Sequence, residues 1–238
     1  MSTRHLIRLL VIVITLHAFP AVAENTLATA VYTGNFSFLT ITAERKLVHN
    51  QDTLYTFSQE TDNFMGSIIE QSQFHLNPDR SLTPYRYLYR QKILGKTKAY
   101  EMHFDWEKMQ ARYLHDGEQQ IIALEKGLLD PLLYQLQLQK DARNNRETLS
   151  YRFLKKNKIK HYTFQRAGEE SITFNNQENK TLKIHRVPAD DKRETLIWLS
   201  PEHLYQIARI VHTENGESNS LVIKSAESSP EFQNWLSH

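Results

Sequence analysis

The sequence predicts a mainly β fold: a strongly curved antiparallel sheet, forming a barrel or half-barrel, with one central helix and a short C-terminal helix. After residue 24, apolar and aromatic side chains recur mostly at every second position, which is the period of a half-buried strand. Turn residues separate these segments at intervals of about a dozen residues. More than about ten twisted strands in one sheet curl strongly, which favours closure or near-closure.

The strands are predicted in two groups, one on each side of the central helix. The first group is Val31–Thr42, Thr53–Thr61, Met65–Leu76, Tyr85–Leu94, Lys98–Trp106 and Gln110–His115. The second group is Thr148–Leu154, Ile159–Arg166, Glu170–Phe174, Thr181–Val187, Glu194–Leu199, Tyr205–Glu214 and Ser218–Ala226. Turns are predicted at Asn77-Pro78-Asp79, His115-Asp116-Gly117, Lys156-Asn157-Lys158 and Glu214-Asn215-Gly216. The Asn-Gly pair favours a type I′ hairpin, because both residues tolerate positive φ.

Two helices are predicted from the pairing of a capping residue with a proline. Asp130-Pro131 supplies a cap and a proline suited to the first helical position, and four leucines follow, so we expect a helix from Pro131 to about Ala142. Ser200-Pro201 predicts a single turn, and Ser229-Pro230 predicts a closing helix that ends at Leu236. Since no linker or repeat interrupts the pattern, residues 24–238 are expected to form one domain.

Residues Met1 to Ala23 are typical of a cleavable export signal. Arg4 and Arg8 precede an apolar run, and Ala21-Val22-Ala23 is a small-residue cleavage site, which predicts cleavage after Ala23 and a periplasmic location. The apolar run is shorter than the ~20 residues that span a bilayer, so a permanent anchor is the less favoured alternative. No transmembrane span is expected after cleavage.

The composition excludes several classes of function. Without the two arginines of the predicted signal, basic and acidic side chains are equal in number, at 27 each, which removes the main argument for nucleic-acid binding. The chain has no cysteine, which excludes disulfides, thiolate metal sites, cysteine nucleophiles and lipid attachment to an N-terminal cysteine.

Four short segments that are typical of one protein family occur in order across most of the chain. They are Phe104-Asp105-Trp106, Gly127-Leu128-Leu129-Asp130-Pro131-Leu132, Thr181-Leu182-Lys183-Ile184 and Trp198-Leu199-Ser200-Pro201-Glu202. By these segments the chain resembles the exported bacterial proteins of the family called domain of unknown function 3108. The resemblance implies an envelope protein of mostly antiparallel sheet, in a family without an established activity.

Two neighbouring strands each place aromatic or methionine side chains on one face. These faces could line an apolar cavity, since aromatic rings supply rigid contact area and a tyrosine hydroxyl can orient a ligand head group. The alternative is that they pack against the helix as core. The candidate ligand-binding residues are Tyr85, Tyr87, Tyr89, Tyr100, Met102, Phe104 and Trp106.

Other polar residues have both a functional and a structural interpretation. Asp130 could be functional, yet its position before Pro131 makes helix capping sufficient. Glu101, His103, Asp105 and Glu107 alternate on one face, which could hold a metal or an acid/base pair but is also typical of a solvated sheet face. A basic hairpin tip could touch anionic lipid head groups or be a solvated turn; it contains Lys155, Lys156, Lys158 and Lys160.

No catalytic motif, compact histidine metal motif or phosphate-binding loop occurs in the sequence, so no catalytic residue, cofactor or resident metal is predicted. The pattern favours a non-enzymatic periplasmic protein that binds a lipid-like or amphipathic molecule in a concave sheet. This function predicts a cavity of several hundred Å³ between sheet and helix. A filled interior would instead favour the alternative, an envelope scaffold or assembly factor with an envelope protein as partner. A hydrolase of envelope polymers is ranked last.

Overall fold

The computed structural model describes residues 25–36, 39–187 and 193–237. The predicted export signal lies outside these residues and stays a prediction. No helix in the described part of the chain is long and apolar enough to cross a membrane. The helices and strands are β1 Asn25–Phe36, β2 Leu39–Gln51, β3 Leu54–Asn63, β4 Gly66–Leu76, β5 Leu82–Ile93, β6 Lys96–Asp105, β7 Gln110–His115, β8 Glu118–Ala123, α1 Leu133–Arg143, β9 Leu149–Lys155, β10 Lys158–Phe174, β11 Gln177–Arg186, β12 Arg193–Ser200, β13 Gln206–Glu214, β14 Glu217–Ser228 and α2 Pro230–Leu236.

All fourteen strands belong to one antiparallel sheet, which confirms the predicted fold class. Their order is β8-β7-β6-β5-β4-β3-β2-β1-β14-β13-β12-β11-β10-β9, so β8 and β9 are the two edges and do not pair with each other. The segment after β8 bridges these edges instead, because Leu129 pairs with Phe153 in a parallel bridge and Glu125 forms an ion pair with Arg152. The sheet is therefore curved like a barrel without a closed ladder of strands.

The local turn and helix signals are confirmed. Helix α2 has the predicted bounds, and the Ser229 hydroxyl accepts a hydrogen bond of 3.2 Å from the Phe232 N–H. Asn215 and Gly216 have φ angles of 51° and 85°, as a type I′ hairpin requires. Helix α1 begins at Leu133, two residues later than the predicted start at Pro131, and the Asp130 carboxylate accepts a hydrogen bond of 2.8 Å from its first N–H.

Three strand predictions need correction. The predicted strand Val31–Thr42 contains the end of β1 and the start of β2, which pair antiparallel with each other. The two strands predicted between residues 159 and 174 are the single strand β10, which carries a β-bulge between Arg166 and Glu169. Strand β8 was missed because it is an edge strand whose side chains are mostly exposed and show no alternation of apolar and polar residues.

Helix α1 covers only one half of the concave face. At its C-terminal end, Lys140 Nζ donates to the Arg80 carbonyl 2.5 Å away, and Asn144 donates to the carbonyl of Leu236 in α2. We call this end of the sheet, with α2 and the β4–β5 turn, the lower half. Concave-face residues of the lower half, such as Phe57 and Phe74, are buried, whereas Ile41 and Ile68 nearer the opposite end are partly exposed. The upper half of the concave face is therefore less completely covered than the lower half.

Candidate functional site

The upper concave face carries a row of polar and aromatic side chains on β2 to β6. Each member lies directly opposite the next across the antiparallel ladder, so their side chains share one face of the sheet. This polar row consists of Arg45, Gln59, Glu70, Tyr89 and Tyr100. Four of the five are partly exposed, and Tyr100 is buried against the stacked ring of Tyr89 at a centroid distance of 5.0 Å.

A second row on the same face is aliphatic. Its members are paired in register across β11 to β14, and Gly34 of β1 links Leu221 to Ile41. This aliphatic row consists of Ile184, Ile197, Ile210, Leu221 and Ile41. The first two residues are buried and the other three are partly exposed. The upper concave face thus has one polar wall and one apolar wall.

The first turn of α1 lies between the two walls and contributes Tyr134 and Gln135. The Tyr134 ring stacks on Phe153 at 4.5 Å and meets the edge of Tyr162 at 5.7 Å. The Gln135 side chain accepts a hydrogen bond of 2.5 Å from Arg45 Nη2 and donates to the Pro131 carbonyl. These two residues form the floor of the upper concave face.

Arg45 contacts this floor, and the guanidinium of Arg186 lies on a ring that packs beside it. Arg45 donates from Nε to Gln59 Oε1 at 2.7 Å and lies over the ring of Tyr32 at 5.7 Å. Arg186, on β11, lies over the ring of Tyr162 at 4.6 Å. Within the described ranges, neither arginine forms an ion pair with a carboxylate. Burial raises the pKa of Tyr134, and the positive charges of Arg45 and Arg186 oppose that rise.

A buried carboxyl group lies below the polar row. Asp130 is fully buried and accepts hydrogen bonds from the Ser72 hydroxyl and from the N–H groups of Leu132 and Leu133, the latter two at 2.9 and 2.8 Å. Burial raises the pKa of Asp130 to about 7, against the lowering effect of these hydrogen bonds, and the charge of Glu70 raises it further. Asp130 therefore caps the helix, as predicted, and also titrates near neutral pH.

Glu70 interacts with the carboxyl group of Asp130 through its charge and with the aromatic face through a hydrogen bond. The Tyr87 hydroxyl donates a hydrogen bond to Glu70 Oε1. The pKa of Tyr87 is raised well above its usual value, first by burial and then by the negative charge of Glu70. Tyr87 therefore stays protonated as the donor at any physiological pH.

Some of the predicted ligand-binding residues lie in the hydrophobic core, and the others are partly or largely exposed. Tyr87, Met102 and Phe104 are buried in the hydrophobic core, and Tyr100 is 3% exposed. The cavity bounded by Phe57 and Leu136, between the sheet and α1, has a volume of only about 30 Å³, about one water molecule. The prediction of a cavity of several hundred Å³ between the sheet and α1 is therefore wrong at this place, because core side chains fill the lower half.

Tyr85 does not lie where the period-two pattern placed it, whereas the Trp106 ring lies beside that of Phe104, stacked at a centroid distance of 6.2 Å. A β-bulge leaves Tyr85 without a partner between Pro84 and Arg86, so Pro84 turns inward and Tyr85 turns to the outer face, where it is 51% exposed. The prediction that Tyr85 shares a face with Tyr87 and Tyr89 is wrong for this reason. Trp106 follows the end of β6 in a turn and donates from Nε1 to the Pro84 carbonyl at 2.8 Å.

The charged residues of the outer face are engaged with one another. His103 Nε2 and Arg86 both contact the Glu101 carboxylate, at 3.1 and 2.8 Å. Hydrogen bonds from the ammonium and backbone N–H of Lys108 lower the pKa of Asp105. This arrangement fits the interpretation of a solvated sheet face.

A shallow surface groove of about 640 Å³ runs beside this charged face. Its lining includes Tyr85, Trp106 and Ile121, and Ile121 belongs to the edge strand β8. Apolar and charged side chains meet in this groove on the outer side of the sheet, away from the upper concave face.

Sequence reasoning missed the residues that connect the two walls. Arg45, Glu70, Tyr134, Gln135 and Arg186 lie on four different secondary-structure elements. Isolated charges at inward positions of otherwise apolar strands were the available signal, as with Arg45 between Ala43 and Leu47. The order of strands in the sheet was needed to bring them together.

The comparison with known families confirms the resemblance seen in the short segments. The family model described as a protein of unknown function (DUF3108) matches residues 29–219, which is most of the chain. The chain belongs to the DUF3108 family. The match includes every residue of the polar row and every residue of the aliphatic row except Leu221, so nearly all of both walls lies within the family region of this DUF3108 protein.

A solved structure has a similar fold. A beta-barrel-like protein of the domain of unknown function DUF1849 from Brucella abortus aligns with a TM-score of 0.52 and 11% identity, covering 87% of this chain and 99% of that one. At this identity the similarity concerns the fold alone. No curated protein matches this DUF3108 chain, and neither description assigns an enzymatic activity.

Proposed function

We propose that this DUF3108 protein is a soluble periplasmic binding protein for an amphipathic molecule of the cell envelope, held on the upper concave face. The observation that carries the proposal is the division of this face into an aliphatic row and a polar row. An amphipathic ligand needs apolar area for its chain and hydrogen-bonding groups for its head, and the two rows supply these on opposite walls. Because core side chains fill the lower half, we assign the ligand to the upper half.

The energetic argument favours the upper half. Ile41, Ile210 and Leu221 are partly exposed and would lose further contact with water on binding a chain, at about 25 cal/mol per Å². Tyr87, Met102 and Phe104 have no such surface left to bury. A ligand at those residues would have to displace packed core, at a cost of several kcal/mol.

The test uses two neighbouring isoleucines of β4 as a matched pair. Ile68 shares its face with Ser72 and Phe74 and lies on the concave side, whereas Ile69 lies on the convex side, and both are partly exposed. The protein, purified without detergent, is studied by native mass spectrometry with lipid extraction and by calorimetric titration with dodecyl maltoside. The wild type and Ile69→Glu are expected to bind an amphiphile, and Ile68→Glu is expected to lose it while remaining folded. Wild-type protein that carries no lipid and does not bind the detergent would overturn the proposal.

A second candidate function is an assembly factor that pairs through β8. The outer edge of β8 is unpaired in the sheet, and Ile121 on this strand is 52% exposed beside the groove that Tyr85 and Trp106 line. Unpaired edges are templates for strand addition by a partner. Crosslinking in the envelope, with Ile121→Asp as the disrupting variant, tests it: a specific partner lost in that variant would support the scaffold.

A further inference from the structure

Arg45 and Arg186, which form no ion pair with a carboxylate among the described residues, lie at the ends of the aliphatic row. Arg45 is on the same face of β2 as Ile41, four residues away, and Arg186 is on the same face of β11 as Ile184, two residues away. Ile41 and Ile184 are the terminal members of the aliphatic row. A positive charge therefore flanks the apolar wall on each side.

The floor brings these two arginines toward one place. Arg45 hydrogen-bonds Gln135, and Arg186 lies on the ring of Tyr162, which in turn contacts Tyr134. Tyr134 and Gln135 are consecutive residues of α1, so Arg45 contacts this turn of the helix directly and Arg186 is linked to it through the ring of Tyr162.

The local charge balance favours an anion. Glu70 is the acidic member of the polar row, and Gln59 separates it from Arg45. The carboxylate of Glu70 already accepts the Tyr87 hydroxyl. A partly exposed guanidinium that lacks a carboxylate partner retains N–H donors in a planar fork, which matches carboxylate and phosphate oxygens.

We propose that Arg45 and Arg186, with the Tyr134 hydroxyl, bind the carboxylate or phosphate head group of an amphiphile whose chain lies on the aliphatic row. This inference rests on the proposed function and adds the chemical class of the ligand. The head group receives charge-assisted hydrogen bonds from both walls, and Tyr134 donates a third.

The test compares four amphiphiles that share a dodecyl chain: dodecanoate, dodecyl phosphate, dodecyl maltoside and dodecyltrimethylammonium. Calorimetric titration of the purified protein below the micelle concentration of each is expected to show anions bound about tenfold or more tighter than the maltoside, and the cation bound most weakly. The tighter of the two anions identifies the head-group chemistry.

Variants separate the arginines from general binding. Arg186→Gln is expected to lose about tenfold in affinity for the preferred anion while leaving the affinity for dodecyl maltoside unchanged, and Arg45→Gln is expected to lose about tenfold in affinity for the same anion. Arg90→Gln is the matched control, because Arg90 is exposed on the convex face of β5 opposite Ile69. Since Arg45 also holds Gln59 and Gln135, Arg186→Gln provides the decisive reading if Arg45→Gln fails to fold.

Two results would overturn the inference in distinguishable ways. Equal affinity for all four amphiphiles, unchanged in Arg186→Gln, would contradict the anion site but not the proposed binding of amphiphiles. Absence of binding for all four would overturn both proposals together.

Discussion

Asp130→Asn is the substitution whose effect can be worked out most fully from the structure. The folded protein raises the pKa of Asp130 from 3.8 to about 7 through burial, so the folded state holds this proton more tightly than the unfolded chain does. Between about pH 4 and 7 unfolding therefore releases a proton, and the free energy of unfolding falls as pH rises. A shift of this size corresponds to roughly 4 kcal/mol over the window, at about 1.4 kcal/mol per pH unit.

The variant removes the titration and keeps most of the geometry. An asparagine Oδ1 can accept the same N–H groups of Leu132 and Leu133, so the cap is retained. We expect wild type to lose about 4 kcal/mol relative to Asp130→Asn as pH rises through the window, and the difference to become constant above about pH 7.

The assay is urea unfolding followed by tryptophan fluorescence, at several pH values between about 4 and 8. Taking the difference between the two proteins cancels the titration of carboxylates that do not interact with Asp130. Asp79→Asn is the control, because hydrogen bonds from Ser81 lower the pKa of Asp79 and its stabilising contribution is lost as pH falls. A difference between wild type and Asp130→Asn that is flat, or that rises with pH, would refute the reasoning.

Three further substitutions test the packing, each by urea unfolding at neutral pH. Leu133→Ala removes a fully buried side chain of α1 and should lower the free energy of unfolding by about 2–5 kcal/mol; a loss below about 1 kcal/mol would show that the core is not tightly packed there. Ser229→Ala removes the cap of α2 and should cost about 1 kcal/mol, while an unchanged stability would contradict the capping role. Trp198→Leu removes a buried ring that Lys183 and Arg209 contact at 5.2 and 5.0 Å, with an expected loss of about 3 kcal/mol; if Lys183→Met costs as much as Trp198→Leu, the ring packing is not the main contribution.

Signals confined to a few neighbouring residues were predicted well. The bounds of α2 follow from Ser229-Pro230, and the β13–β14 hairpin follows from Asn215-Gly216. In both cases the physical cause is local, since a side-chain cap or a tolerated positive φ depends on the residues themselves.

The predicted orientation of a side chain is wrong where one extra residue interrupts the pairing of β4 with β5. The alternation that placed Tyr85 with Tyr87 holds only in a strand without insertions, and the bulge beside Pro84 reverses it. Proline cannot donate a hydrogen bond to a neighbouring strand and is tolerated at bulges, so Pro84 was the residue that could have predicted the bulge. The local sequence did not show to which side the chain would turn.

The candidate site required information that no single segment contains. Arg45 and Arg186 are separated by most of the chain, and their relation depends on the pairing of β1 with β14, which joins the two groups of strands into one sheet. Period-two patterning identifies which residues share a strand face, but it does not specify which strands are neighbours.

The sequence by itself determined the mainly antiparallel fold, the caps and closing turns, and the family, because these depend on period, composition and short-range contacts. The tertiary structure alone decided that core side chains fill the lower half, that the upper half is less completely covered, and that two arginines flank its aliphatic row. The physical reason is that the depth of burial depends on which surfaces meet when the sheet curls around α1, and that meeting is set by strand order and register over the whole chain.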